Sequence, residues 1–480
     1  MFDVLVIGAG VTGSLIARKL SSYSLKVLVI EKENDVGNVT SMANSAIVHS
    51  GYDPLPNTNK AKFNVLGNKM YPQLTKELDV SLKKIGSLTL SFSQEQNELL
   101  LELVKRGEEN GVDVKFLSRE DTLKLEPNLS NDVQGALLAE NTYIVNPFTL
   151  VVHAMENAVD NGVMLHLSEE VTDIKKDNAF YLVKTNKDEY KCKVVIDAAG
   201  LYADKIHEMV ESIDYSINPR KGEYFVLDHF NNEFIHHIIF PLPSEKGKGI
   251  LVVPTTSGNY LVGPSSSFID DKDDLSTDSM TLTEVKENAL KMIPSIPFNQ
   301  SIRVFSGNRP TPTNHDFNIG HAKNDKNFIF ASGIESPGLA SSPAIAEYVV
   351  DSLLSQAIKL EKKKDYNPNI KKRINLKILT NEERTKIIKE NPDYGTIICQ
   401  CEKITLGELK DELMRSVPPK TIKAMKKRTR AGFGKCQGGF CQAKVMSLLA
   451  EFYNEKMNEI LLDKNDSNIV RFDSRNEAKL

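Results

Sequence analysis

The sequence predicts an α/β protein: a nucleotide-binding domain with a parallel sheet, interleaved with a mixed-sheet substrate domain and followed by a small helical four-cysteine domain. Three observations predict it. Two short β-branched runs, Val4-Leu5-Val6-Ile7 and Val27-Leu28-Val29-Ile30, flank a stretch of helical periodicity from Val11 to Leu20. Strands of the same buried type recur far downstream, at Val194-Val195-Ile196 and Phe328-Ile329-Phe330-Ala331. Four of the five cysteines gather in one late segment.

At 480 residues the chain is too long for one core. The expected division is 1–355 for the two interleaved domains, 356–390 for a linker, 391–455 for the cysteine domain and 456–480 for a polar tail. Hydrophobic content of 40% and charged content of 26% are those of a soluble globular protein. A net charge of −4 argues against a nucleic-acid partner. No apolar run approaches the roughly 18 residues that span a bilayer, and the N-terminus lacks the basic start of a signal peptide. Sparse cysteines in a chain of this length do not form a disulfide framework, which points to the cytoplasm. Cys192, alone in Tyr190-Lys191-Cys192-Lys193, reads as a strand residue without a redox role.

The elements follow in order. The first two strands and the helix between them form a β-α-β unit. Helices are expected over Glu95–Asn110 and Pro147–Asn161, and alternating strands over Tyr181–Thr185, Tyr224–Leu227, Gly249–Val253 and Asn259–Gly263. Pro343–Leu360 reads as a closing helix. From Lys359 to Lys389, 11 basic residues stand against 4 acidic ones, and with Pro368 this reads as a solvated connector. Leu406–Met414 and Ala443–Phe452 have helical apolar spacing. After Glu455 the polar tail is expected to fray.

The first motif is Gly8-Ala9-Gly10-Val11-Thr12-Gly13, directly after a strand and opening a helix. This is the Rossmann-type fingerprint. Gly8 permits the tight turn, Gly10 lets the backbone approach a pyrophosphate, and Gly13 lets the helix pack against the strand. The phosphates lie on free N–H groups at the helix N-terminus. Glu31 ends the second strand 18 residues past Gly13, where a carboxylate holds a ribose hydroxyl. Both FAD and NAD fit this pattern, and three later segments favour FAD. Asn38 to Ser45, rich in hydroxyls and amides and including Ser41, Asn44 and Ser45, leads to Ile47-Val48-His49-Ser50-Gly51. Asp197-Ala198-Ala199-Gly200 ends a strand with small residues. Gly333-Ile334-Glu335-Ser336-Pro337-Gly338-Leu339-Ala340 precedes a helix whose N-terminus suits the charge that grows on a reduced flavin. Val171, Gly200, Gly333, Gly338 and Leu339 are counted with the cofactor-binding residues.

The second motif is Cys399-Gln400-Cys401, 34 intervening residues, then Cys436-Gln437-Gly438-Gly439-Phe440-Cys441. Four thiolates suit a [2Fe-2S] cluster, nearby glycines let N–H groups point at sulfur, and Lys426, Lys427, Arg428, Arg430 and Lys435 favour an anionic centre. A structural zinc ion is the alternative, although zinc sites more often use two Cys-x2-Cys pairs. The scattered histidines, including adjacent His236 and His237, do not read as a mononuclear metal site.

Residues 1–350 resemble the glycine-oxidase/D-amino-acid-oxidase flavoproteins. Within these they are most similar to FAD-dependent, anaerobic-type glycerol-3-phosphate dehydrogenase and to L-2-hydroxyglutarate oxidase. The glycine loop, Asn44 to Gly51, Ala198 to Asp204 and Gly307-Asn308-Arg309-Pro310 carry the resemblance. Arg428 to Cys441 resembles the bacterioferritin-associated-ferredoxin-like [2Fe-2S] domain fused to some glycerol-3-phosphate dehydrogenases. The resemblance implies that Arg309 clamps the substrate anion, with a planar fork suited to phosphate or carboxylate. His49 would accept the hydroxyl proton. Tyr224 would hydrogen-bond the substrate or pack in its strand. In Arg220-Lys221-Gly222-Glu223-Tyr224 either cation could point inward, and Lys221 is a weaker phosphate candidate.

The implied function is oxidation of sn-glycerol 3-phosphate, a small anionic alcohol, to dihydroxyacetone phosphate, with electrons leaving singly through the cluster. The resemblance makes the acceptor a protein, such as a second flavoprotein subunit, and any membrane association indirect, through that subunit. The rivals are an L-2-hydroxyglutarate dehydrogenase, an amine or amino-acid dehydrogenase, and an electron-transfer subunit with no substrate of its own. An oxidase is disfavoured because oxygen would make the cluster unnecessary.

Overall fold

A computed structural model describes residues 1–231, 234–243 and 249–471 of the chain. Its first sheet has eight strands. A parallel spine runs in the spatial order Met164–His166, Val27–Ile30, Phe2–Ile7, Glu189–Asp197 and Asp325–Ser332. One edge of the long strand Glu189–Asp197 serves two partners. Its first half pairs antiparallel with Phe180–Thr185 and its second half pairs parallel with Asp325–Ser332. The spine residues are apolar because both faces are covered. Val4, Val6, Val27 and Val29 face a core shared with the helices Val11–Leu20, Asn59–Glu77, Pro147–Asp160 and Gly338–Glu347, while Leu5, Ile7, Leu28 and Ile30 face a second core. Cys192 is buried in its strand, where burial pushes its thiol up to about 12.

The second sheet has nine strands drawn from three stretches of chain. It is mixed: Ile238–Pro241 lies parallel to Ser87–Ser91, and the other pairings are antiparallel. Its strongest pairing joins Ile217–Leu227 to Ser301–Pro312, in a register that sets Arg220 opposite Arg309.

The closing helix starts at Gly338, five residues earlier than the sequence suggests, so Pro343 lies inside it. Pro343 has no N–H for the carbonyl four residues back, that of Leu339. The Tyr71 hydroxyl donates to that carbonyl at 2.5 Å instead.

Helices Leu406–Leu413, Ile422–Thr429 and Gln442–Tyr453 enclose a separate core around Leu409, Met425 and Leu449. The connector before them is not wholly solvated. Its Pro368 and Asn367 carbonyls accept from Arg18 and Asn157, and it contains a helix, Asn381–Glu390, opened by a Thr380/Glu383 capping box. None of that helix is buried, so it has no apolar face for periodicity to reveal. The tail as far as residue 471 is also anchored rather than frayed. Ile460 is buried, and Asp463 accepts from Asn34, Asn38 and Lys423. Residues 472–480 of the tail lie outside the described residues.

Buried charges join the cysteine domain to the nucleotide-binding domain. Arg428 forks onto Asp35, whose second neighbour is Lys427 at 2.7 Å. Arg373 lies between Glu156 and Glu412, and Phe148 stacks on Phe433 with ring centroids 5.3 Å apart.

Candidate active site

The spine strands end along one edge, where open α/β sheets bind their ligands. Two cavities lie there, of about 530 and 180 Å³, sharing Gly10, Thr40, Ser41, Ala198 and Gly200 as walls. They form a bent trough. The smaller arm is lined by Gly8, Glu31, Glu170, Val171 and Tyr202; the larger reaches Ser45, His49, Tyr224, Arg309, Gly338 and Leu339.

The smaller arm is built by the glycine motif. A Cβ on Gly13 would stand 2.0 Å from the Gly8 carbonyl oxygen, so only glycine lets this helix approach the strand. Gly13 therefore packs and does not line the trough. No side chain of the N-cap residue, Gly10, closes the helix, but Ser41 Oγ accepts from the Val11 N–H at 2.9 Å. Glu31 accepts from the Ala9 and Glu33 N–H groups at 2.7 and 2.9 Å, and its burial raises its pKa.

The larger arm is walled by the loop at residues 40–47 and the paired strands. Asn44 folds the loop on itself by donating to the Ser41 carbonyl and accepting from the Ala46 N–H. Ser45 Oγ lies 3.0 Å from the Tyr224 hydroxyl, and the Tyr224 ring stacks on Phe305. Burial raises the Tyr224 pKa, with Arg309 opposing. Asn64 and Asn68 fix His49 by donating to its backbone carbonyl at 2.6 and 3.1 Å. A second uncapped helix end, at Gly338 and Leu339, faces the cavity. Gly333 does not line it: its backbone, at φ +66, packs on Pro312.

Arg309 donates only to backbone oxygens, those of Arg220, Lys221 and Ser265. Among the described residues its Nη1 has no hydrogen-bond partner, and burial lowers its pKa. Gly222 makes room for it, since a Cβ there would meet Pro264 at 2.7 Å and Arg309 Nη2 at 3.2 Å. Of the two adjacent cations, Arg220 is the one that lines the cavity. Lys221 turns away to Asp274 at 2.8 Å. Lys60, Glu335 and Arg106, which the sequence reading did not single out, complete the wall. Lys60 and Arg220 both bind the buried carboxylate of Glu335, at 2.7 and 2.8 Å, and Arg106 donates to the Asp53 carbonyl. Burial raises the Glu335 pKa, but Lys60 and Arg220 outweigh it and hold the carboxyl below its ordinary value.

In the cysteine domain Cys401 Sγ and Cys436 Sγ lie 3.5 Å apart, and the free thiols of Cys399 and Cys441 share a hydrogen bond. The Cys436 sulfur accepts from the Gly438, Gly439 and Phe440 N–H groups; that of Cys399 accepts from Gly432 and Glu402. Among the described residues no three His, Cys, Asp or Glu groups gather as a single-ion site would require. Four thiols meeting as two pairs, under converging N–H donors, suit two bridged irons better than one zinc.

A trough built on a Rossmann-type glycine motif, with an arginine fork and a histidine in its larger arm, has the form of a dinucleotide-dependent oxidoreductase site. Residues 3–352 match the family described as FAD dependent oxidoreductase, and residues 397–451 match the BFD-like [2Fe-2S] binding domain. The chain belongs to the FAD dependent oxidoreductase family. It is 44% identical over 480 residues, the whole of both chains, to the glycerol 3-phosphate dehydrogenase of Caloramator mitchellensis. It is 37% identical to the glycerol 3-phosphate oxidase of Mycoplasma genitalium, over 76% of this chain and 97% of that one. Dithionite-reduced, FAD-bound L-alpha-glycerophosphate oxidase of Mycoplasma pneumoniae superposes with a TM-score of 0.74 and 34% identity, over 78% of this chain and 99% of that one. FAD is thus the dinucleotide, and the cysteine domain is of the [2Fe-2S] type. No helix among the described residues is long and apolar enough to cross a membrane.

Proposed function

We propose that the chain oxidises sn-glycerol 3-phosphate to dihydroxyacetone phosphate and passes the electrons to a partner protein, such as a second flavoprotein subunit. The observation that carries this is the charge of the larger cavity. Lys60, Arg106, Arg220 and Arg309 stand against Asp53 and Glu335, so two positive charges are unmatched among the described lining residues, as a phosphate dianion requires. A substrate with one carboxylate would match only one. L-2-hydroxyglutarate is also a dianion, so the charge selects doubly anionic substrates, and what favours the phosphate among them is the likeness to glycerol 3-phosphate dehydrogenase and oxidase.

When bound, FAD supplies hydride acceptance and a [2Fe-2S] cluster supplies one-electron transfer. Arg309 holds the phosphate through its free Nη1, and the backbone bonds to its other nitrogens keep the fork fixed. Arg220 lends a second charge from across the strand pair, steadied by Glu335. A ring nitrogen of His49 receives the C2 hydroxyl proton. Tyr224 and Ser45 orient the substrate hydroxyls. Gly8, Gly10, Glu31, Val171 and Gly200 line the adenosine end, while Ser41, Asn44, Gly338 and Leu339 line the flavin end. Cys399, Cys401, Cys436 and Cys441 hold the cluster.

The test is anaerobic mixing of purified protein with glycerol 3-phosphate, and separately with L-2-hydroxyglutarate, read by flavin absorbance. Bleaching by the phosphate alone supports the proposal. Bleaching by hydroxyglutarate alone, or by neither, sinks it.

A further inference from the structure

We propose that the outward face of the cysteine domain, Phe440 ringed by Arg303, Lys403, Lys435 and Lys444, is the docking site of an acidic one-electron carrier protein. Phe440 lies between Cys436 and Cys441, and among the described residues 81% of its surface is exposed. The four cysteines are unequally placed: Cys399 and Cys441 are buried, Cys401 is exposed and Cys436 half-exposed. The outer pair, Cys401 and Cys436, therefore marks where electrons can leave. A Cβ on Gly434 would stand 2.3 Å from the Cys401 Cβ, so the Phe433–Cys441 loop and the Cys401 loop share this face. That sets Lys403 and Lys435 beside the pair. Arg303 reaches the face from the substrate sheet, with Nη1 3.4 Å from Gln437 Oε1.

The charge on this face has one sign. In residues 396–403 and 433–444 the sole carboxylate is Glu402, which is buried and bound by Arg430 and Lys377. Among the described residues Arg303, Lys403, Lys435 and Lys444 form no ion pair, although the whole chain carries a net −4. A cationic ring around an exposed aromatic side chain suits an acidic protein: the ring steers the encounter and the aromatic anchors it. An anionic lipid surface would also meet the charges, but the position of the face over the outer cysteine pair favours an electron carrier.

This inference rests on the reading that substrate electrons leave through the cysteine domain. Each docking would oxidise the reduced enzyme by one electron and reduce the carrier by one. Two dockings and the release of two protons balance one alcohol converted to one ketone.

The test uses the holoenzyme with a fluorescently labelled acidic plant-type ferredoxin as probe, basic cytochrome c as comparison, and anisotropy as readout. Binding is read directly, so failure of the catalytic reading shows separately, as a flavin that substrate does not bleach. Wild-type affinity for ferredoxin should fall roughly tenfold over a tenfold rise in ionic strength. Lys403→Glu with Lys444→Glu should weaken it at least about tenfold at low salt. Phe440→Ala should weaken it about tenfold with the salt dependence unchanged. The rate of flavin bleaching should stay the same in all variants. The proposal is overturned by affinity indifferent to salt and to both variants, or by tighter binding of cytochrome c. It is equally overturned by binding to phosphatidylserine vesicles but not to ferredoxin, or by self-association that Phe440→Ala abolishes.

Discussion

Arg428 donates from Nη1 and Nη2 to the two carboxylate oxygens of Asp35, at 2.9 and 2.8 Å, across 393 residues of chain. Both side chains are buried, and Lys427 adds its ammonium 2.7 Å from the same carboxylate. The loop carrying Asp35 continues to Asn38, Thr40 and Ser41, which line the cofactor trough. The cysteine domain is therefore fastened to the wall of the flavin site itself.

Asp35→Asn keeps the shape and removes the charge, leaving two buried cations unmatched. Loss of stability should be about 3–5 kcal/mol, measured by denaturant unfolding at pH 7. Burial alone would raise the Asp35 pKa, but Arg428 and Lys427 hold it well below its ordinary value. Its contribution is therefore complete above an unfolded pKa of about 3.9 and is lost as the pH falls through the lower folded value. The variant should lack that acid-side decline; an unchanged decline would show that the pair is not responsible.

Arg309→Gln removes the fork that faces the cavity. The kcat/KM for glycerol 3-phosphate should fall about 10- to 100-fold, the equivalent of one charged hydrogen bond of roughly 1.5–3 kcal/mol. Flavin content should be unchanged. Arg309→Lys should fall between the two, because it keeps the charge without the geometry.

Glu335→Gln releases Lys60 and Arg220 from their shared carboxylate. The substrate KM should rise several-fold at pH 7, with kcat less affected. Glu335 is held below the ordinary glutamate value of about 4.3, so in the folded wild type its charge, and its hold on both cations, persists from neutral pH to below that value. The ratio of variant to wild-type KM, measured from about pH 5 to 7, checks this. It should stay constant, and a ratio that falls toward one by about pH 5 would show that Glu335 has already lost its charge there.

Tyr71→Phe leaves the Leu339 carbonyl without a donor, because Pro343 cannot supply one. The expected cost is about 1–3 kcal/mol by thermal or denaturant unfolding. Weaker flavin retention should accompany it, since Leu339 lies at the cofactor-facing end of that helix. Equal stability of the two proteins would remove this role from Tyr71.

The local parts of the site were legible in the sequence. Gly8, Gly10, Gly13 and Glu31 act within one β-α-β unit, so spacing alone placed them. Arg309 stood out only through the resemblance carried by Gly307-Asn308-Arg309-Pro310; its strand pattern by itself does not mark it. The choice between Arg220 and Lys221 was not legible: adjacent strand residues face opposite sides, and Asp274, 53 residues on, draws Lys221 away. Lys60 and Arg106 lie on amphipathic helices, where a cation reads as solvated until the tertiary structure turns it toward a cavity. Gly333 was counted with the cofactor residues because it shares a turn with those that line the trough, yet only its backbone geometry is used. The Asp35–Arg428 pair left no trace: Lys427 and Arg428 read as charge beside an anionic centre, but both turn onto Asp35, a lone acid that looked like surface.

The span of that pair bears on how the polypeptide is made. Synthesis proceeds from the N-terminus, and Asp35 leaves the ribosome long before Arg428 has been translated. Throughout that interval the nascent flavin loop carries a carboxylate destined for burial that has no counter-ion, and water must solvate it. The N-terminal lobe thus reaches its final state only when almost the entire message has been read, which couples maturation of the flavin pocket to completion of the electron-exit domain.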